Sequence, residues 1–139
     1  MKKVGFIILL TIAMRLSGYA QNLVGKWRTV VNKEEIVFVF DSLGYCAMQS
    51  EGQVMGGQMF LIDGKKHFMK YIINTQTKPF KLDMVLFDYY TKKEVRRMLA
   101  IYSFTDNKLN LCLDTSENKR PKEFKSSNDD CIKLSKVKD

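Results

Sequence analysis

Met59-Phe60-Leu61-Ile62-Asp63-Gly64-Lys65-Lys66-His67-Phe68-Met69-Lys70-Tyr71-Ile72-Ile73 decides the fold. Two runs rich in aromatic and branched residues flank an Asp-Gly pair. Asp-Gly tolerates the positive φ angles of a tight hairpin, so the segment predicts two antiparallel strands. In the second strand Phe68 and Ile72 fall on one face, and Met69, Tyr71 and Ile73 on the other. Upstream, Ile36-Val37-Phe38-Val39-Phe40 is a buried strand ending at Asp41-Ser42-Leu43-Gly44, and Tyr45–Gln49 returns beside it. Downstream, Leu82–Phe87 follows Lys78-Pro79, and Met98–Phe104 ends at Asp106-Asn107. Leu109, Leu111 and Leu113 then alternate with Asn110 and Cys112, and Ile132 and Leu134 alternate with Lys133 and Ser135. With Gly25–Val31 this makes about nine strands, spaced roughly 8–12 residues apart, the pattern of a sandwich or barrel. No stretch sustains a helical period; Thr91–Arg97 reads as one helical turn or a charged hairpin. Closure hides the edges that an open sheet exposes. The expected fold is all-β: one antiparallel barrel of about 8–10 strands over residues 21–139.

The chain has 139 residues, 45% hydrophobic and 27% charged, which fits one ordered domain rather than disorder. Met1-Lys2-Lys3, the apolar run Val4–Met14 and Gly18-Tyr19-Ala20 follow the order of a secretory signal peptide over residues 1–20. Eleven apolar residues are too few to span a bilayer. The protein is therefore expected to be exported, periplasmic or extracellular, to begin at Gln21, and to have no membrane span in its mature chain. The leader carries Lys2, Lys3 and Arg15 and no carboxylate, so its removal lowers the net charge from +8 to +5. The remaining basic residues sit in short pieces such as Lys65-Lys66, Lys92-Lys93 and Arg96-Arg97. They read as a solvated surface, and nucleic acid is not expected as a partner. On Lys65–Tyr71 basic and aromatic residues do not segregate as a stacking platform needs.

The side-chain inventory argues against catalysis. His67 is the single histidine and opens a strand after Gly64-Lys65-Lys66, where exposure is expected. A metal site needs two or three further ligands, so neither a metal nor a cofactor is expected. No Gly-x-Ser-x-Gly accompanies that one imidazole. Asp83 and Asp88 face opposite ways on a regular strand, and Glu34-Glu35 reads as a solvated turn. Gly52–Gly57 lacks the Lys-Ser/Thr ending and the following helix of a phosphate loop, so it reads as a loop or lid. No enzymatic activity is expected. Three cysteines leave the pairing open. Cys112 and Cys131 lie on the polar faces of neighbouring strands, and export permits oxidation. Their disulfide closes a loop worth roughly 3 kcal/mol of chain entropy, with Cys46 left as a buried thiol.

Gly25-Lys26-Trp27 resembles the Gly-x-Trp signature that opens lipocalin-like barrels. Pro79-Phe80-Lys81-Leu82-Asp83, Ala100-Ile101-Tyr102, Leu109-Asn110-Leu111-Cys112 and Arg120-Pro121-Lys122-Glu123-Phe124 follow in order. This succession is similar to a family of small secreted bacterial lipocalin-like domains of unknown function. The family pattern is Pro-x-x-hydrophobic-Asp, Gly-Ile-Tyr, Leu-x-hydrophobic-Cys and Arg-Pro-x-x-Phe. The resemblance covers about Leu23–Lys138. Ala100 departs from the family's Gly, and the N-terminal half matches at Gly25 and Trp27. The resemblance implies secretion and a small barrel closed at one end by Trp27, with Gly25 allowing close backbone approach and Arg120 lying across the indole. It carries over no catalytic residue.

An eight-stranded barrel is just wide enough to be filled by side chains or to hold one small ligand. Ile36–Phe40 is apolar on both faces, and methionine is abundant, which suits an adaptable lining. The expected ligand is therefore a small apolar or amphipathic molecule in the end opposite Trp27. Phe38, Met59, Met69, Tyr71 and Met84 are the expected lining, Gly52–Gly57 the lid, and Lys65, Lys66 and Lys92 the rim charges. The competing expectation is an envelope or extracellular protein-interaction or inhibitor module with a filled barrel. It would use the loops Glu51–Gln58 and Ser116–Asp130. The protein is expected to be a monomer.

Overall fold

A computed structural model describes residues 23–114, 119–124 and 130–138. The leader and the Gln21 start lie outside the described residues, as do parts of the Ser116–Asp130 loop. The described residues form ten strands: β1 Gly25–Val31, β2 Glu34–Phe40, β3 Cys46–Ser50, β4 Gln53–Gly56, β5 Phe60–Ile62, β6 Lys65–Asn74, β7 Phe80–Asp88, β8 Glu94–Thr105, β9 Lys108–Leu113 and β10 Cys131–Lys136. They make one antiparallel sheet in the order β4-β3-β2-β1-β10-β9-β8-β7-β6-β5, curled into a nearly closed barrel. The first and last strands meet, with Trp27 opposite Lys136.

The turns follow from local chemistry. Asn32-Lys33, Glu51-Gly52, Asp63-Gly64 and Asp106-Asn107 each place two successive residues at positive φ. That geometry matches the right-handed twist of paired strands. Thr91–Arg97 belongs to a hairpin, with β8 starting at Glu94. Gln53–Gly56 is a strand paired to β3, not a lid. The glycines there do other work: Gly52 completes a turn, and Gly56 lets two backbones cross. A Cβ on Gly56 would sit 2.5 Å from the Cys46 carbonyl oxygen and 2.7 Å from Ala47 Cα.

A seam lies between β4 and β5, which do not pair with each other. Backbone contacts between the β3 and β6 sides pin it. Met69 N–H donates to Gly57 O and Tyr71 N–H to Gly44 O, each at 3.0 Å, and Tyr45 bridges to Lys70.

Alternation sends Trp27, Phe38 and Met48 inward in one row, Tyr71, Met84 and Met98 in another, and Tyr102, Leu111 and Ile132 in a third. The end holding Leu23 and Trp27, hereafter the floor, joins fully buried side chains to Ile73, Phe80 and Phe104, which are half-buried. Leu23, Phe40, Tyr102, Leu109 and Leu134 there are all at most 1% exposed. Full burial of each such side chain is worth about 1.5–3 kcal/mol. On the outer wall Ile101 and Cys112 are also buried. Phe124 and Arg120 come back over β8 and β9 at that place.

Candidate functional site

The floor and the opposite end, the mouth, differ in kind. At the floor Trp27 is buried, donates its indole N–H to Leu23 O at 2.9 Å, and lies 5.6 Å from Phe104 between ring centroids. Tyr71 donates its hydroxyl to Asp41 O at 2.7 Å and meets Phe40 edge-on. Each polar tip is thus satisfied while its ring fills the interior. At the mouth the inward positions are apolar but half-buried: Ile36, Met48, Ile62, Leu86, Met98 and Ile132. Each is the apolar inward residue of its strand nearest the turns or loop at that end. A cleft of about 430 Å³ runs there into the seam, between Met48, Gln53, Met55, Phe60 and Ile62. A larger cleft of about 820 Å³ lies beneath the floor, where Trp27 and Phe104 meet Asp106, Lys108, Lys136 and Lys138.

The mouth's rim is electrically lopsided. On the β2 and β3 side, Glu34 shares a hydrogen bond with Glu51, and that bond with the charge repulsion raises the Glu34 carboxyl above its usual range. On the other side Lys65 and Arg96 stand at inward register positions, opposite Ile62 and Leu86. His67 faces inward between them and is buried at 8% exposure, contrary to the expectation of an exposed ring. It pairs in register with Phe60, whose ring contacts its own. A carbonyl can only accept, so the 2.9 Å contact with Lys65 O places a proton on Nδ1. Beside it the Asp88 carboxyl is held below its usual range, chiefly by the Thr91 backbone N–H. The same carboxylate caps the turn by accepting from Tyr90 N at 2.9 Å.

Of the expected lining residues, Phe38, Met69, Tyr71 and Met84 come together, but in the packed core rather than around a cleft, and Met59 stands apart. Phe38, Met69 and Met84 are buried in the packed core, Tyr71 is tied to Asp41 at the floor, and Met59 faces solvent near the seam. Residues midway along a strand lie in the middle of the barrel, where packing is dense. The half-open positions lie nearer the turns, a distance readable from the Asp-Gly and Asp-Asn signals.

Gly25 and Trp27 stand at the floor, but Arg120 does not lie on the indole. Its Nη2 donates to Asp83 Oδ1 at 2.6 Å and its Nη1 to Ala100 O at 2.8 Å. Asp83 also receives Arg97 Nη1 at 3.0 Å. The cause is chain direction. β10 begins at the mouth, so the segment before it is at the far end from Trp27. The residue that ends β10 beside Trp27 is Lys136, and its ammonium lies 5.7 Å from the ring centroid. Cys112 and Cys131 stand opposite each other in register and are disulfide-bonded. Cys46 is free and buried, and burial, with a smaller contribution from the Asp41 charge, pushes its thiol up to about 12. Among the described residues no three His, Cys, Asp or Glu side chains cluster as metal ligands, and no helix is long and apolar enough to cross a membrane.

Comparison of the chain with family models, curated proteins and solved structures gives no match.

Proposed function

We propose that this protein is an exported, non-enzymatic carrier that takes the apolar part of a small amphipathic molecule into the mouth of its barrel. The observation that carries the reading is the group of apolar, half-buried inward residues at the mouth, beside a cleft of about 430 Å³ that opens into the seam. A side chain left half-exposed toward a concavity offers apolar area to a ligand at about 25 cal/mol per Å². Lys65 and Arg96 at inward rim positions favour an anionic head group over a cationic one. The ligand is shallow, because Phe38, Met69 and Met84 already fill the middle.

Displacement of a fluorescent fatty-acid analogue tests this. Met48→Lys and Met98→Lys are expected to weaken binding at least ten-fold with circular dichroism unchanged, and Val30→Lys on the outer side of β1 to leave it intact. Absence of saturable binding across anionic, neutral and cationic amphiphiles overturns it.

The filled middle of the barrel favours a second reading, a scaffold that docks on another envelope protein. That reading requires an outer-surface substitution, rather than a mouth substitution, to abolish the interaction.

A further inference from the structure

The outer wall around β6 and β7 carries a feature that the mouth does not use. Phe68 on β6 and Phe87 on β7 are register partners and stack with centroids 5.0 Å apart. Tyr45 reaches them across the seam, its ring 6.3 Å from Phe68. Tyr89 and Tyr90 extend the surface through the β7–β8 turn. Three ammonium groups lie over these rings: Lys92 at 4.5 Å from Tyr89 and 5.3 Å from Phe68, Lys70 at 5.2 Å from Tyr45, and Lys66 at 5.8 Å from both Tyr89 and Tyr90. None of the three is ion-paired with a carboxylate among the described residues. The turn is held rigid. Asp88 accepts from the Tyr90 and Thr91 N–H groups, and Lys92 is kept at φ 62, where a long side chain is strained.

Apolar side chains project around these charges. On the same outward face Tyr90 is 72% exposed, Leu61 61% and Ile72 52%. Leu61 stands opposite Lys66 in register, and Ile72 follows Phe68 and Lys70 along β6.

We infer that this face, Tyr45, Phe68, Phe87 and Tyr90 with Lys66, Lys70 and Lys92, docks on the surface of an anionic phospholipid bilayer. Charge complementarity selects an anionic partner, since none of these lysines is ion-paired among the described residues. The projecting apolar groups select a bilayer over a soluble polyanion. A polysaccharide or nucleic acid uses ammonium groups and ring faces but leaves Leu61 and Ile72 in water. An interface accepts both, with aromatic rings at head-group depth and lysine stems reaching up to phosphates. The inference does not rest on the carrier reading, because the face lies on the outer wall and the ligand site is in the mouth.

Flotation of the full chain with vesicles tests it. Binding is expected to vesicles of phosphatidylcholine mixed with phosphatidylglycerol, to fall with added salt, and to be weak or absent on phosphatidylcholine alone. The triple variant Lys66→Gln, Lys70→Gln, Lys92→Gln is expected to lose affinity on the order of a hundred-fold, since each basic residue near such a surface contributes about a factor of five. Ile72→Ser with Tyr90→Ser is expected to weaken binding without changing net charge. In all variants displacement of the fatty-acid analogue is expected to stay unchanged, which separates this face from the mouth. No flotation with anionic vesicles, or flotation indifferent to the triple variant, overturns the inference. So does lysine-dependent retention on heparin or oligothymidylate without vesicle binding, which assigns the face to a soluble polyanion.

Discussion

Cys46 shows how one buried atom sets a pH limit on the whole barrel. Its thiol sits at 3% exposure on β3, beside the seam, and its ionisation is pushed from an ordinary value near 9.0 up to about 12. The folded state therefore holds its proton where the unfolded chain has released it. A raised folded value contributes stability that is complete below pH 9 and is lost as pH climbs toward 12. By pH 10.5 the loss from this group is about 2 kcal/mol. That is a sizeable part of the stability of a small domain. Tyr102, also pushed to about 12 by burial, adds a similar slope that begins nearer pH 10. Urea midpoints measured from pH 8 to 10.5 are expected to fall more steeply for the native chain than for Cys46→Val. Parallel slopes would show that the thiol ionises freely in the folded protein. Thiol labelling offers the same reading by rate: Cys46 reacts slowly until denaturant opens the barrel.

At the scale of elements the seam is the informative place. β4 exists because Gly56 lets the backbone pass the Cys46 carbonyl, with φ at +116°. Gly56→Ala is expected to cost roughly 2–4 kcal/mol, combining the backbone strain with an overlap that rigid backbone cannot relieve. Gly57→Ala also carries a positive φ but meets open space, so about 1 kcal/mol is expected. Denaturant midpoints of the two variants check the ordering, and equal costs would refute the close-approach account. This pair also shows what a sequence does and does not disclose. Alternation and turn chemistry located nine of the ten strands, because both are properties of consecutive residues. The Gly52–Gly57 stretch reads in sequence as a loop or lid because glycine there speaks only of freedom. Whether that freedom serves motion or the crossing of two backbones depends on Cys46 and Ala47 in the neighbouring strand. Arg120 illustrates the same limit. Its position after β9 was plain, but its partner depended on which end of the barrel the chain had reached. The Cys112–Cys131 pairing was legible because face alternation on adjacent strands is local on both sides.

On the scale of the molecule, the barrel has a filled middle and an apolar, half-buried mouth, and this contrast is what gives the ligand reading its physical content. Leu109 and Leu134 are fully buried, so removing methylenes there leaves a cavity. Leu109→Ala and Leu134→Ala are expected to cost about 2–5 kcal/mol. Met98→Ala and Ile36→Ala, half-exposed at the mouth, are expected to cost about 1 kcal/mol or less, because solvent already reaches the vacated space. Amide exchange is expected to follow the same contrast. β8 and β9 between Ala100 and Leu109 should open only with global unfolding. Gln53–Ile62, on two short strands that do not pair with each other, should exchange through local opening. A ligand seated in the mouth stabilises the elements it touches by mass action, so saturating amphiphile is expected to slow exchange at β4 and β5 and leave β9 unchanged. If instead the fully buried and mouth variants cost the same, the contrast is not energetic. The barrel is then a uniformly filled scaffold, and its partners must be sought on the outer wall.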